Sequence, residues 1–310
     1  MPELPEVHTT ATHLNKLVSG KSIKDVWTDW PKYFRLSGGE KKFRKSIAGR
    51  KIISVGRKNK NVLFRLSGGY MMLVHQKMTG HFLVGRWIKN KKQETRDKRQ
   101  GDVWANQKWI PADGKGFMRD DRNRFIRLIF FLSNGEMLAL SDLRRFAKVV
   151  LGSEEKILNL PELRELGPEA IDPKFTFGKF LKNFGRFKAR KRGKIKQVLL
   201  DQTFVSGLGN IYADESLWHA RLNPLRPIAS LKEAELRRLY SAIRSVLKDA
   251  IKHRGSSIDD YRDPAGRPGF YHLKHKVYHR EGKPCSRCGS IIKRIKIGQR
   301  SAHFCPKCQK

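Results

Sequence analysis

The 310-residue chain reads as an α+β protein: an N-terminal β-sandwich flanked by an N-terminal helix, then a helical region, then a β-hairpin zinc finger. Three observations predict this order. Short β-rich runs separated by turn residues fill residues 23–151, helical periodicity replaces them beyond Pro161, and the last 26 residues carry every cysteine of the chain. Length and a 39% hydrophobic content allow a sizeable core in more than one domain. The reading divides the chain into residues 1–155, 156–275 and 276–310.

The elements follow from local pattern. Val7, Ala11, Leu14, Leu17 and Val18 recur at helical spacing before Gly20, which predicts an amphipathic helix over Glu6–Ser19. Strands are predicted at Ile23–Trp27, Lys51–Val55, Val62–Leu66, Tyr70–Val74, His81–Val84, Ile126–Leu132, Glu136–Leu140 and Lys148–Leu151. Ser67-Gly68-Gly69 and Ser133-Asn134-Gly135 mark turns between neighbouring runs. Residues 86–122, rich in Lys, Arg, Asp, Gln and Gly with Trp87, Trp104 and Trp109 scattered among them, read as a long basic insertion loop, partly mobile. Helices are predicted at Phe177–Phe184, Ile195–Asp201, Ile211–His219 and Leu231–His253, the last opened by Ser230 and Glu233 in capping-box spacing. Residues 255–276 form a Gly, Ser, Pro and Asp-rich connector.

Charge narrows the function. The chain holds 66 Lys plus Arg against 29 Asp plus Glu, a formal +37, which is the footprint of a polyanion binder. Nucleic acid is the default partner. A membrane is not, because no long apolar run and no basic amphipathic terminal helix is present. The first thirty residues lack a signal-peptide apolar core, so a soluble protein in the cytoplasm, associated with the nucleoid, is expected.

Two groups of residues suggest chemistry. Cys285-x2-Cys288 and Cys305-x2-Cys308 have the spacing of a closed, four-thiolate structural Zn2+ site, with Lys293, Arg294, Lys296 and Arg300 on the hairpin between the knuckles able to face phosphates. At the other end, removal of Met1 would make Pro2 the terminal amine. A secondary amine can attack an electrophilic carbon and go on to an iminium, and its reference pKa of roughly 7.7 to 8.0 leaves a useful neutral fraction near pH 7. Glu3 beside it is a candidate acid. The plain alternative is a helix start, where Pro and Glu are favoured anyway.

The chain resembles the formamidopyrimidine-DNA glycosylase and endonuclease VIII family. The resemblance rests on Met1-Pro2-Glu3, Arg57-Lys58-Asn59-Lys60, His75-Gln76-Lys77-Met78-Thr79-Gly80, Ser141-Asp142-Leu143-Arg144-Arg145-Phe146, the run from Gly207 to Leu217, and Gln299-Arg300-Ser301 in the zinc finger. Leu4 and Gly209-Asn210-Ile211-Tyr212-Ala213 look like the formamidopyrimidine branch. The resemblance implies a bifunctional glycosylase and AP lyase acting on oxidised purines in damaged double-stranded DNA, monomeric, with a helix-two-turn-helix in its C-terminal half. It makes Pro2 the nucleophile, Glu3 the acid at the sugar, Lys60 the β-elimination donor and phosphate contact, and Arg300 the δ-elimination donor. Glu6 matches a carboxylate near the nucleophile, or is helix N-terminal charge. Met78, Arg144 and Phe146 match the residues inserted into the duplex, where an apolar wedge and a cation can fill the gap an extruded base leaves. His75 and Asn210 are implied DNA contacts, with Lys191, Arg192 and Lys196 along the same backbone track.

Departures from the family pattern are Leu143 for a common proline, Ala147 for a common glycine, Gln76 and Lys77 for apolar and glycine residues, and the insertion itself. Relatives often carry His-Asp-His before the strand at Ile126; here Asn123-Arg124-Phe125 predicts no histidine contact. The alternatives are an enzyme for oxidised pyrimidines on the same fold, and a DNA-binding protein without catalysis.

Overall fold

The computed structural model describes residues 1–90, 104, 107–113, 116–189 and 193–310. The strands are β1 (Ile23–Thr28), β2 (Ile52–Lys58), β3 (Asn61–Leu66), β4 (Tyr70–His75), β5 (His81–Gly85), β6 (Trp87–Lys89), β7 (Trp109–Pro111), β8 (Ile126–Leu132), β9 (Met137–Ser141), β10 (Lys148–Ser153), β11 (Lys293–Ile297) and β12 (Arg300–Phe304). The helices are α1 (Leu4–Val18), α2 (Glu40–Ile47), α3 (Glu154–Leu158), α4 (Pro161–Arg164), α5 (Phe177–Ala189), α6 (Ile195–Leu200), α7 (Asn210–His219) and α8 (Glu233–Lys252). Two compact units result. One comprises Met1–Pro2, Glu6–Leu163 and Arg254–Phe270, the other Glu3–Pro5, Arg164–His253 and Tyr271–Lys310.

The first unit is the expected sandwich, with antiparallel sheets ordered β1-β8-β9-β5 and β10-β4-β3-β2. Its interior joins Val26, Leu128, Phe130 and Leu140 of one sheet to Val62, Phe64, Met72 and Val149 of the other, with Val7, Ala11, Leu14 and Val18 of α1 against them. The hydrophobic stripe read from the sequence is therefore the buried face of α1, which begins two residues earlier than predicted. No element was predicted between β1 and β2, yet a 3-10 helix at Pro31–Ser37 and α2 stand there, their Phe34 and Phe43 stacked at 4.0 Å between ring centroids.

The insertion departs most from expectation. Its described parts include an antiparallel β6–β7 hairpin rather than loop alone, and Trp87, Trp104 and Trp109 are buried. Trp87 and Trp109 cover Leu83, Ile126, Ile129 and Ala139 on the outer face of the first sheet. That explains the unbroken apolar run of β8: Leu128, Phe130 and Leu132 face the sandwich interior, while Ile126 and Ile129 face the tryptophans. A register shift between Ile126 and Leu128 lets both isoleucines point outward. The predicted mobile portion falls largely on residues outside those described.

In the second unit α5, α6, α7 and α8 pack around Phe180, Phe184, Phe204, Tyr212 and Leu239. The turn-rich stretch 201–209 joins α6 to α7, as a helix-two-turn-helix requires. Helix α8 starts after Lys232, not Ser230: the Lys232 N–H donates to Glu235 Oε2 at 2.9 Å. Ser230 closes a separate 3-10 turn by donating to the Pro227 carbonyl, so the predicted Ser230–Glu233 box does not form. The tail forms the β11–β12 hairpin.

Candidate functional site

Pro2 and Glu3 are buried, immediately before α1. In the second unit the Glu3 carboxylate sits at the start of α7, accepting from the Gly209 N–H at 2.7 Å and the Ile211 N–H at 3.0 Å. Helix N-termini carry unpaired donors and partial positive charge, so an anion is held there cheaply. The glycines are required by this close approach. A Cβ on Gly209 would lie 2.3 Å from Glu3 Cδ, and one on Gly207 (φ +97°) 2.4 Å from Leu4 Cδ1. The helix-start donors of Gly209 and Ile211 are thus occupied by Glu3, while the Gly207 N–H donates to Gln202 Oε1 at 3.0 Å. Asn210 is part-exposed, and its Oδ1 has no partner among the described residues.

In the first unit Glu6 is 1% exposed and bonds the connector rather than acting only as helix-end charge. Its Oε1 accepts from the Ser256 N–H at 2.7 Å, and the Tyr261 hydroxyl donates to its carbonyl at 3.2 Å. A Cβ on Gly255 (φ +77°) would reach within 2.5 Å of that oxygen. Lys60, in the β2–β3 turn, is only 6% exposed, so it is not one more solvated cation of the run 57–60. His75 accepts from the Lys77 N–H through Nδ1 at 3.0 Å. Burial, then the charges of Lys77, Lys60 and Lys148, push its pKa down to about 3. The ring is thus neutral, with its proton on Nε2, a donor suited to a phosphate oxygen. Lys77 takes φ +55°, the conformation for which the family's glycine is suited.

Met78, Arg144 and Phe146 stand together, and both apolar side chains are exposed, against the usual burial of such residues. The Arg144 guanidinium lies 4.5 Å from the Phe146 ring centroid and donates to Met78 Sδ at 2.9 Å. Beneath them is a residue to which sequence reasoning gave no role. Asp142, fully buried, accepts from the Thr79 hydroxyl at 2.6 Å, the Ala147 N–H at 2.9 Å and the Tyr33 hydroxyl at 3.0 Å. Thr79 Oγ1 in turn accepts from the Arg144 N–H at 3.1 Å. Ala147, a departure from glycine, has no left-handed φ to demand one.

Lys191 and Arg192 lie outside the described residues. Lys196 corrects the phosphate-track expectation. Its ammonium is fully buried, donating to Asp214 Oδ1 at 2.6 Å and to the Ser301 carbonyl. Asp214 Oδ2 also accepts from the His303 N–H at 2.9 Å, so one ion pair ties α6 and α7 to β12, whose first residue, Arg300, is exposed. Its neighbour Glu215 accepts from the N–H groups of Lys276, Val277 and Tyr278. Within the run from Gly207 to Leu217 neither acid shows its role in the sequence, because these backbone partners belong to the distant tail of the chain.

The Sγ atoms of Cys285, Cys288, Cys305 and Cys308 all lie within 4.8 Å of one another. Zn–S bonds of about 2.3 Å in a tetrahedron place sulfurs about 3.8 Å apart, so the set fits one Zn2+ with no open position. The Cys308 N–H donates to Cys305 Sγ at 3.3 Å, as a thiolate ligand favours. Trp218 of α7 packs on Cys285 and Cys305.

Three family models match the chain: the formamidopyrimidine-DNA glycosylase N-terminal domain over residues 1–149, the H2TH domain of the same glycosylase over 166–262, and the zinc finger found in FPG and IleRS over 282–310. The formamidopyrimidine-DNA glycosylase of Pelotomaculum thermopropionicum is 40% identical, with 100% of this chain and 99% of that protein covered. Among solved structures, MutM (Fpg) from Thermus thermophilus aligns with a TM-score of 0.77 at 35% identity, covering 99% of this chain and 98% of that one. A Lactococcus lactis Fpg variant in complex with Fapy-dG-containing DNA aligns with a TM-score of 0.81 at 30% identity over 100% of both chains.

Proposed function

The chain belongs to the formamidopyrimidine-DNA glycosylase family, and from that premise we infer how its own residues carry the reaction. It is a DNA glycosylase of base excision repair that acts on oxidised purines, with the AP lyase activity typical of the family and one structural Zn2+. Its partner is DNA. Damaged double-stranded DNA, bound by a monomer, is the substrate form we assign. With Met1 removed, the Pro2 amine attacks C1′ as the glycosidic bond breaks and the base departs with its electron pair and a proton. Loss of the last N–H proton and opening of the sugar leave an iminium at C1′. Loss of a C2′ proton expels the 3′ phosphate, and a second elimination expels the 5′ phosphate.

The observation that carries this reading is the hold on Glu3. A carboxylate held by two backbone donors next to Pro2 is suited to take up the proton that the Pro2 amine loses and pass it to the sugar O4′ as the ring opens, a task that mere binding does not need. Burial of Lys60 supports its part in β-elimination, the exposed Arg300 its part in δ-elimination, and the neutral Nε2–H of His75 a phosphate contact. The Met78, Arg144 and Phe146 cluster supports the wedge. Borohydride should trap the protein covalently on an 8-oxoguanine duplex, more than on a thymine glycol duplex. A Pro2→Gly variant should lose most trapping, and a form retaining Met1 should bind without trapping. Undiminished trapping by both would remove Pro2 from its role, and preferential trapping on thymine glycol would move the substrate to oxidised pyrimidines.

A further inference from the structure

The insertion covers one sheet of the sandwich, and its C-terminal part also grips the connector. Asp120 Oδ1 accepts from the Arg122 N–H at 2.8 Å, capping the 3-10 turn Asp121–Arg124. The other oxygen takes the fork of Arg262, from Nε at 3.0 Å and the terminal nitrogen at 2.9 Å. Arg262 is 12% exposed and Asp120 27%, so this two-pronged pair is partly shielded from water, where such pairs hold geometry best. Arg122 makes a second, looser pair with Asp260 at 3.5 Å. One turn further on, backbone meets backbone. A Cβ on Gly266 (φ +79°) would lie 2.8 Å from the Phe117 carbonyl and 2.9 Å from Asn123 Nδ2. Asn123 is itself fixed, donating to the Phe117 carbonyl at 2.8 Å and bonding His81 Nε2 through Oδ1 at 2.9 Å.

The connector is anchored on its other sides too. The Val84 N–H donates to the Pro264 carbonyl at 2.8 Å, and the fully buried Asp263 carboxylate accepts from the N–H groups of Ala265 and Arg267 at 2.9 Å each. Its first residues bond Glu6 in the first turn of α1, one helical turn beyond Pro2. A base leaving C1′ beside Pro2 must be received by groups around that turn. In this unit the connector is bonded to it.

We propose that residues 116–122 of the insertion, with the adjoining Asn123 and Arg124, position the connector for acceptance of the extruded base, with Asp120 and Arg262 as the positioning pair and Arg122 and Asp260 as their support. The inference rests on the glycosylase reading and adds a segment that takes no part in the bond-breaking steps. Base excision depends on the pair. Strand cleavage at a site that has already lost its base does not, because no base remains to be received.

The experiment is a single-turnover comparison on two duplexes, one with 8-oxoguanine and one with a natural abasic site, enzyme saturating. It uses Asp120→Arg, Arg262→Asp and the double exchange, which conserves net charge. Each single variant should slow 8-oxoguanine excision by about tenfold to a hundredfold, the scale of small misplacements near a reacting centre. Abasic cleavage should stay within about twofold, and the double exchange should recover most of the excision rate. Thermal melting of all three identifies a variant that merely fails to fold, and Arg262→Lys, which keeps the charge but loses the fork, should fall between. Normal excision by the single variants overturns the proposal, as does a parallel loss on both duplexes or a double exchange no better than its parents. Unsubstituted protein that cuts neither duplex would overturn the glycosylase reading and this inference with it.

Discussion

Asp142→Ala is the perturbation that tests how the wedge loop is built. The carboxylate is fully buried and takes three donors, from Thr79, Ala147 and Tyr33. Burial first, and then the Asp142 charge, raise the Tyr33 phenol well above its ordinary range, so it is a donor throughout the folded range of pH. Alanine would leave all three without an acceptor. The two hydroxyls can rotate towards other oxygens; the Ala147 N–H cannot. An orphaned buried donor costs about 1–3 kcal/mol, so the sum for one fixed and two partly rescued donors is about 3–5 kcal/mol. Asparagine keeps the shape and one carbonyl oxygen, which can still accept from Tyr33 and Ala147. Its amino group would then donate to Thr79, so Asp142→Asn should cost only about 1–2 kcal/mol. Urea titrations followed by tryptophan fluorescence would measure both, on the transition that reports the first unit. Since Thr79 also receives the Arg144 N–H, Asp142→Ala should in addition slow excision at 8-oxoguanine more than Asp142→Asn does. Equal destabilisation by the two substitutions, or full excision by a destabilised Asp142→Ala, would refute the network as the support of Arg144.

Gln76 is 1% exposed, and neither its Oε1 nor its Nε2 has a partner among the described residues, so Gln76→Leu should raise stability by about 1–2 kcal/mol in a urea titration; a loss would mean the amide is bonded through water. His75 and His275 are both driven down to about 3, chiefly by burial, whereas the unfolded chain takes up those protons near pH 6.5. Stability linked to each is therefore intact above about pH 6.5 and falls towards pH 3 by up to about 1.4 kcal/mol per pH unit; His75→Gln should flatten this slope for the first unit between about pH 6.5 and 5, and an unchanged slope would contradict the burial argument. Lys196→Met leaves Asp214 charged and unpaired in the interior, which should cost about 3–5 kcal/mol, while the slope of log affinity against log salt stays the same; a slope smaller by about 1 would make Lys196 a phosphate contact after all.

Much of the fold was legible because its elements carry strong periodic signals. The eight predicted strands all exist: seven combine β-branched or aromatic residues with a bounding turn, as at Gly68 and Gly69, both of which take positive φ, and Glu136–Leu140 has neither residue type but follows the Ser133-Asn134-Gly135 turn. Helix α2 was not legible. Its sequence Glu40–Ile47 buries only Phe43 and Ile47, a single i,i+4 pair among four Lys and Arg residues, too little stripe to register as a helix. The hairpin in the insertion was hidden by composition, although β8 held the clue. A seven-residue strand whose residues are nearly all apolar must be covered on both faces, and the tryptophans scattered through the basic segment were the available cover.

At the site, spacing located the zinc ligands and the N-terminal motif but could not assign the cations. Lys191, Arg192 and Lys196 look alike in a chain with 66 basic residues. Yet Ile195, Val198 and Leu199 mark the inner face of α6, and Lys196 shares their burial because Asp214, eighteen positions away, neutralises it. Lys60 was similarly indistinct within Arg57–Lys60, although the structure buries it while Arg57 and Lys58 keep part of their surface in water. A count of positive charges predicts a polyanion partner, but the work of individual cations depends on which of them the fold withdraws from solvent. Those withdrawn among the described residues, Lys60 and Lys196, owe their placement to buried surroundings, so neutralising either should alter rate or stability more than it alters the salt dependence of DNA binding. Neutralising an exposed cation such as Arg294 should do the reverse.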